Sequence, residues 1–255
     1  MDEFIRQPSE ERQVYFEQTA ARMRLSPQII EKDFWVCWTL KELFGLPDIG
    51  STLIFKGGTS LSKAYRMIER FSEDIDVSLD RTSLGFGGEL DPEAGSSAKE
   101  QTRRLDRLRQ ACQKAIVEHL KPAFERVIGA KLGRVTGWSV AVDEADPDGQ
   151  TLLYAYPSSW PDKTAGYVRA VVKIEMGARS DHWPSEQVEI SSYAAQQFPA
   201  AFRVPAFMVK VLAAERTFWE KATLLHAEHH RPAERTMPLQ GARPTQSDQH
   251  GHCRK

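Results

Sequence analysis

The segment from Leu53 to Leu79 constrains this chain more than any other stretch. Leu53-Ile54-Phe55 is an apolar run long enough for a buried strand and too short for a helix, and it stops at Lys56-Gly57-Gly58. A helix is expected from about Ser60, with Leu61, Ala64, Tyr65 and Ile68 at helical spacing. From Phe71 to Leu79, Ile75, Val77 and Leu79 then alternate with Asp74, Asp76 and Ser78. The order is strand, Gly-Gly turn, helix, strand. Glycines at a strand end let the backbone turn sharply, and the helix that follows offers unsatisfied N–H groups to an anion. Side chains two apart on a strand share a face, so Asp74 and Asp76 project together while Ile75 and Val77 turn to the core. Two carboxylates on a rigid strand can clamp a divalent cation beside that phosphate site. The competing reading is the ordinary polar face of an edge strand.

Around this segment the periodicities predict a second set of elements. Ser9 to Leu25 reads as a helix, and Ser26-Pro27 caps and opens another that runs to Phe44 with Gly45 past its end, so residues 1–50 form an N-terminal helical cap. Residues 81–98 form a loop before a long helix, Ala98 to Val127, kinked or divided at Pro122. Val135 to Val142 and Thr151 to Tyr156 suit a hairpin, Tyr167 to Met176 a strand, Phe207 to Leu212 another, and Ala214 to His229 a helix. On the strand ending at Met176, Glu175 lies with Lys173 opposite the apolar Val172, Ile174 and Met176. A third carboxylate on a second strand would suit magnesium, which takes hard oxygen ligands; alone, Glu175 reads equally as a surface residue. Lys221 falls on the stripe of Phe218 and Leu225, where it either snorkels or aims an ammonium at phosphates. Asp33, on the Ile29, Val36 and Leu40 line of its helix, is expected to partner a buried base.

Composition narrows the class. With 41% hydrophobic and 27% charged residues, disordered and collagen-like chains are excluded. The longest apolar run, Phe34 to Trp38, is far short of the roughly 18 residues a membrane span needs, and Met1-Asp2-Glu3 does not begin a secretion signal. A soluble cytoplasmic protein is expected. Cys37, Cys112 and Cys253 are too scattered for a disulfide framework and suit a reducing compartment. Net charge is -1, but from Ala201 onward Lys and Arg number nine against five Asp and Glu, so the C-terminal lobe either meets a polyanion or is simply solvated. Thr236 to Lys255, polar and broken by prolines, is expected to be a disordered tail. Gly57 to Lys63 lacks the second glycine of a P-loop, Gly85 to Gly88 does not continue as a dinucleotide fingerprint, and His226 to His230 lacks the H-E-x-x-H spacing of zinc enzymes.

Phe55-Lys56-Gly57-Gly58-Thr59-Ser60-Leu61-Ser62-Lys63-Ala64-Tyr65, followed by Arg70-Phe71-Ser72-Glu73-Asp74-Ile75-Asp76, resembles the signature of the AbiEii/AbiGii toxin family. These are DNA polymerase β-like nucleotidyltransferases of bacterial type IV toxin–antitoxin and abortive-infection systems. The resemblance extends to Glu31-Lys32-Asp33-Phe34-Trp35-Val36, Lys173-Ile174-Glu175 and Glu220-Lys221, over residues from about 9 to 231. It implies an α+β fold: a nucleotidyltransferase core with a mixed sheet over 51–212, a C-terminal helix over 213–235, and a C-terminal helical lobe shortened relative to family members that continue past the equivalent of Pro232. It further implies that Lys56, Gly57, Gly58, Thr59, Ser60, Lys63 and Ser72 contact the nucleotide, that Asp74, Asp76 and Glu175 are catalytic ligands of two Mg²⁺ ions, and that Lys221 holds the triphosphate. The implied reaction transfers NMP from an NTP to the 3′ end of tRNA. An antitoxin acting without a stable complex is the implied counterpart. Nucleotidylation of a protein side chain by the same site, or an inactive NTP-binding module left by the shortened C-terminus, are the alternatives.

Overall fold

The computed structural model describes residues 1–68, 74–160 and 169–230. Ser72, the start of the strand expected from Phe71, Tyr167 and the expected disordered tail lie outside them. The chain forms two compact units, Met1–Phe218 and Trp219–Lys255.

The first unit holds one seven-stranded mixed sheet. Its strands are β1 (Leu53–Lys56), β2 (Asp74–Leu79), β3 (Ser139–Val142), β4 (Thr151–Ala155), β5 (Val171–Gly177), β6 (Ser185–Ser191) and β7 (Ala206–Leu212), in the order β3-β4-β5-β2-β1-β7-β6. β2 runs parallel to β5 and β1 parallel to β7, and the remaining neighbours are antiparallel. The strand carrying Asp74 and Asp76 is therefore central rather than an edge. Its burial alternates as the pleat requires: Ile75 and Val77 are enclosed, Asp74 is exposed and Asp76 half-buried. β5 alternates in the same way, with Val172, Ile174 and Met176 buried and Lys173 and Glu175 on the opposite face.

Among the described residues the α-helices are α1 (Ser9–Met23), α2 (Pro27–Phe44), α3 (Gly57–Lys63), α4 (Ala98–Ala115), α5 (Lys121–Leu132), α6 (Tyr193–Gln197) and α7 (Ala214–His229). α1 stops two residues before the expected Leu25, because Arg24 adopts a left-handed conformation (φ 58°) that ends the helix. The Ser26 hydroxyl caps α2 by accepting from the Ile29 N–H at 3.3 Å, and Pro27 occupies the first turn. α2 buries thirteen of its eighteen residues. Its Trp35 stacks on Tyr156 at 5.4 Å and meets Trp38 edge to face, so the aromatic core is built directly on this helix. Cys37 is buried there, and Cys112 is buried on α4; both are free thiols.

The long helix expected from Ala98 to Val127 is divided and continues further. α4 ends at Ala115, a π-helical stretch covers Ile116–Leu120, and α5 runs on to Leu132. Pro122 has no N–H and its ring excludes the carbonyl four residues back, so the wider π turn accommodates the mismatch just upstream of it. β6 and α6 were not anticipated. β6 pairs with β7 along its whole length, but only Ile190 of its residues is fully buried, so its sequence lacks a strong apolar alternation.

Candidate functional site

The strand register assembles the acidic residues. Asp76 of β2 is paired with Glu175 of β5 on one side and with Lys56 of β1 on the other, and Glu175 is paired in turn with Thr151 of β4. Residues opposite one another in neighbouring strands share a face, so Lys56, Asp76, Glu175 and Thr151 form one row across four strands. Asp74 is paired with Lys173 in the adjacent row of the same face. Three carboxylates and two lysines thus share a rigid, polar face while the other face closes on the core.

The Gly-Gly turn belongs to the same site. α3 begins at Gly57, three residues earlier than the periodicity suggested, and Gly57 takes φ +78°, a conformation that side chains resist. A β-carbon built on Gly57 would fall inside the Asp76 side chain, 2.7 Å from its β-carbon. The glycine is required both by the turn and by this contact. Thr59 and Ser60 are fully enclosed and hold the turn from within: the Thr59 hydroxyl donates to the Asp74 carbonyl, and the Ser60 hydroxyl donates to the Gly57 carbonyl at 2.8 Å. Their hydroxyls brace backbone and do not face solvent. Gly57→Ala should therefore move the Asp76 carboxylate and cost stability together. A loss of about 1–3 kcal/mol in chemical denaturation is expected from the strained conformation, with transfer falling further than stability explains.

Lys63 does not join the nucleotide-facing group that the resemblance placed it in. Its side chain is 7% exposed, forms an ion pair with the fully buried Asp33 of α2, and lies over the Tyr193 ring with its Nζ 3.5 Å from the centroid. The base expected to partner Asp33 is thus Lys63. Burial works against the ammonium, yet the Asp33 charge prevails and holds the Lys63 pKa above its ordinary value. The other Asp33 oxygen accepts from the Tyr193 N–H at 2.7 Å. One carboxylate so ties α3 to α2 and α6.

Its neighbours on α2 brace other segments. Glu31 accepts from the Ser158 hydroxyl at 2.7 Å and the Ser159 N–H at 2.6 Å, and burial raises its pKa against those bonds. Lys32 donates to the Arg169 carbonyl at 3.1 Å, just ahead of β5. Glu31-Lys32-Asp33 therefore positions three segments around the sheet. Three successive charges between the apolar Ile29-Ile30 and Phe34-Trp35-Val36 are the signal that could have found this, since buried charges persist only where they are paired.

On the acidic face, the Lys173 ammonium donates to Glu175 at 2.6 Å. That hydrogen bond, followed by the charges of Glu175, Asp74 and Asp143 and opposed by desolvation, raises the Lys173 pKa. Glu175 and Lys173 line a depression of about 370 Å³ with Asp143, Asp146 and Thr151. Lys56 turns along the face to donate to the Ser180 hydroxyl at 2.7 Å. Among the described residues no three His, Cys, Asp or Glu side chains are gathered into a group that could hold a metal by themselves. Asp74, Asp76 and Glu175 share the face without closing on one point.

A family model described as "Nucleotidyl transferase AbiEii toxin, Type IV TA system" matches residues 38–240. The chain belongs to the AbiEii family. A comparison with curated proteins finds no match. Membership identifies a nucleotidyltransferase toxin of a toxin–antitoxin system, with an NTP as donor, and the mixed sheet is consistent with the polymerase β-like fold. Among the described residues no helix is long and apolar enough to cross a membrane. Lys221 lies on α7 within the second unit, and the Phe218 and Leu225 of its stripe are 60% and 71% exposed. That stripe is not a core face, so it imposes no burial cost on the lysine.

Proposed function

We propose that this AbiEii protein transfers NMP from an NTP to the 3′ end of tRNA, with Asp74, Asp76 and Glu175 holding Mg²⁺. The observation that supports the reading is the close approach of Gly57 to Asp76, which sets the glycine turn against the acidic strand, while the register sets Glu175 beside Asp76. The three side chains offer only carboxylate oxygens, the donor type magnesium takes. Magnesium is ordinarily completed by water and substrate phosphate oxygens rather than by a protein cage, so an open row of carboxylates fits the ion. Bound magnesium would lower the pKa of the acceptor hydroxyl and offset the charge of the departing pyrophosphate.

The chain's own groups do the positioning. The glycine turn at Gly57 and Gly58 would take the triphosphate, and the Lys56 ammonium, which donates to the Ser180 hydroxyl, would supply a positive charge to it. β1, β2 and β5 hold the row rigidly, so phosphate and acceptor meet without reorganisation of the sheet. The basic balance of the C-terminal stretch supports a polyanionic acceptor. In its cell the activity would be opposed by a cognate antitoxin.

Incubating the protein with each α-³²P-labelled NTP, Mg²⁺ and total tRNA tests the reading. Label in the tRNA band is the expected result. Label in protein alone would replace the acceptor, and absence of label from both would overturn transfer. Glu175→Gln keeps shape and removes charge at the third position. It should lower turnover by about a hundred-fold or more with little change in NTP affinity, the pattern of an interaction made mainly in the transition state. Equal turnover for wild type and Glu175→Gln would remove Glu175 from the chemistry.

A further inference from the structure

We infer that the cavity above Gly177 is the subsite for the nucleoside half of the triphosphate. The inference rests on the nucleotidyl-transfer reading and adds to it where the base and ribose lie. A cavity of about 330 Å³ opens between α4 and the polar face of the sheet. Ser78 and Gly177 lie on its sheet side and Leu105 and Leu108 of α4 on the other, while Lys56, Gln150, Asp106, Arg179 and the ion-paired Arg109 and Asp148 bring polar and charged groups to it. Its size is within the range of small-molecule sites.

Four features point to a nucleoside. First, Ser78 and Gly177 are paired with each other exactly two residues beyond the pair Asp76 and Glu175. At about 3.3 Å per residue, the cavity floor lies roughly 7 Å along the same face from the carboxylate row. That is the direction in which the nucleoside must extend if the phosphates lie against Gly57 on the other side of Asp76. Second, Lys56 links the two places: its backbone is paired with Asp76, and its ammonium reaches Ser180, which also lines the cavity.

Third, the lining suits an object that is flat and apolar on its faces and polar at its edges. Leu105 and Leu108 offer an apolar wall, while the Gln150 amide donates to the Arg109 carbonyl at 3.1 Å and keeps its oxygen 4.0 Å from where a Gly177 β-carbon would stand. An amide oxygen held there can accept from an exocyclic amine or a ribose hydroxyl. Fourth, Gly177 has no backbone reason to be glycine. It lies in β5 outside the left-handed region, and an added β-carbon would meet nothing closer than that amide oxygen. Glycine weakens a strand, and in a strand interior it commonly marks the close approach of a ligand.

The test is calorimetric titration of the full chain with each of the four NTPs and with inorganic tripolyphosphate, in the presence of Mg²⁺. Wild type should bind its preferred NTP at least about ten-fold more tightly than tripolyphosphate. Gly177→Val, which suits a strand and fills the floor, should erase that margin and leave tripolyphosphate affinity unchanged. Leu105→Trp intrudes from the opposite wall and should do the same, so the test survives if either variant fails to fold. An intact margin in either folded variant would overturn the subsite. Wild type that binds tripolyphosphate as tightly as every NTP would overturn the subsite alone, and wild type that binds neither would overturn the transfer reading with it.

Discussion

Asp76→Ala and Asp74→Ala should each abolish nucleotide transfer while leaving the melting temperature near that of wild type. The expected loss is on the order of a thousand-fold or more, equivalent to about 4 kcal/mol of transition-state stabilisation. Stability should hold because β2 is anchored by its other face, where Ile75 and Val77 are 0% and 1% exposed, and neither substitution touches that packing. Asp74 is exposed and Asp76 half-buried, so little apolar contact leaves with either carboxylate. Removing one of two close like charges also relieves repulsion. Turnover measured with labelled NTP and tRNA, alongside thermal unfolding, checks both halves. Near-normal turnover by either variant would remove the carboxylate pair from the chemistry. A steep fall in melting temperature would instead show that the pair supports the fold.

Lys63→Met should be the most destabilising single change considered, at about 3–5 kcal/mol, because it leaves the Asp33 carboxylate buried without its cation. Asp33 is completely enclosed, and after the change only the Tyr193 N–H among its described partners would remain to it. The double variant Asp33→Leu with Lys63→Met removes both charges and should recover much of the loss, since well-packed apolar groups replace buried ion pairs at little cost. Chemical denaturation of the three proteins measures the difference. If Lys63→Met costs less than about 1 kcal/mol, the ion pair is not what holds α3 against α2. The same double variant separates the structural role from a nucleotide-binding one: it should keep NTP affinity, because the Lys63 ammonium faces the interior. Lost affinity in the folded double variant would return Lys63 to the phosphates.

These two results probe opposite sides of α3. On its outer side the turn at Gly57 meets Asp76, and on its inner side Lys63 meets Asp33. Both contacts are made by residues of a seven-residue helix that could not be stable alone, so the turn owes its shape to what surrounds it. The shape of the turn is therefore preorganised by a buried ion pair between α2 and α3 and by two enclosed hydroxyls, and substitutions well away from solvent should affect transfer.

Local periodicity by itself determined the order of strand, glycine turn, helix and strand, the shared face of Asp74 and Asp76, and the alternation that sets Glu175 apart from Ile174 and Met176. Each of these follows from the geometry of a single strand or turn, in which neighbours along the chain decide where a side chain points. The need of Asp33 for a basic partner was legible for a related reason: a carboxylate on an apolar helix line must be compensated wherever it is buried. The sequence alone could not say that the partner is Lys63, that Glu175 lies beside Asp76, or that β6 closes the sheet through β7. Those are pairings between segments far apart in the chain, selected by the packing of all elements at once, and a one-residue slip in register would have put Glu175 on the other face. Only the tertiary structure, by closing the core on α2, decided which polar residues were left facing the site and which were drawn inside to hold it.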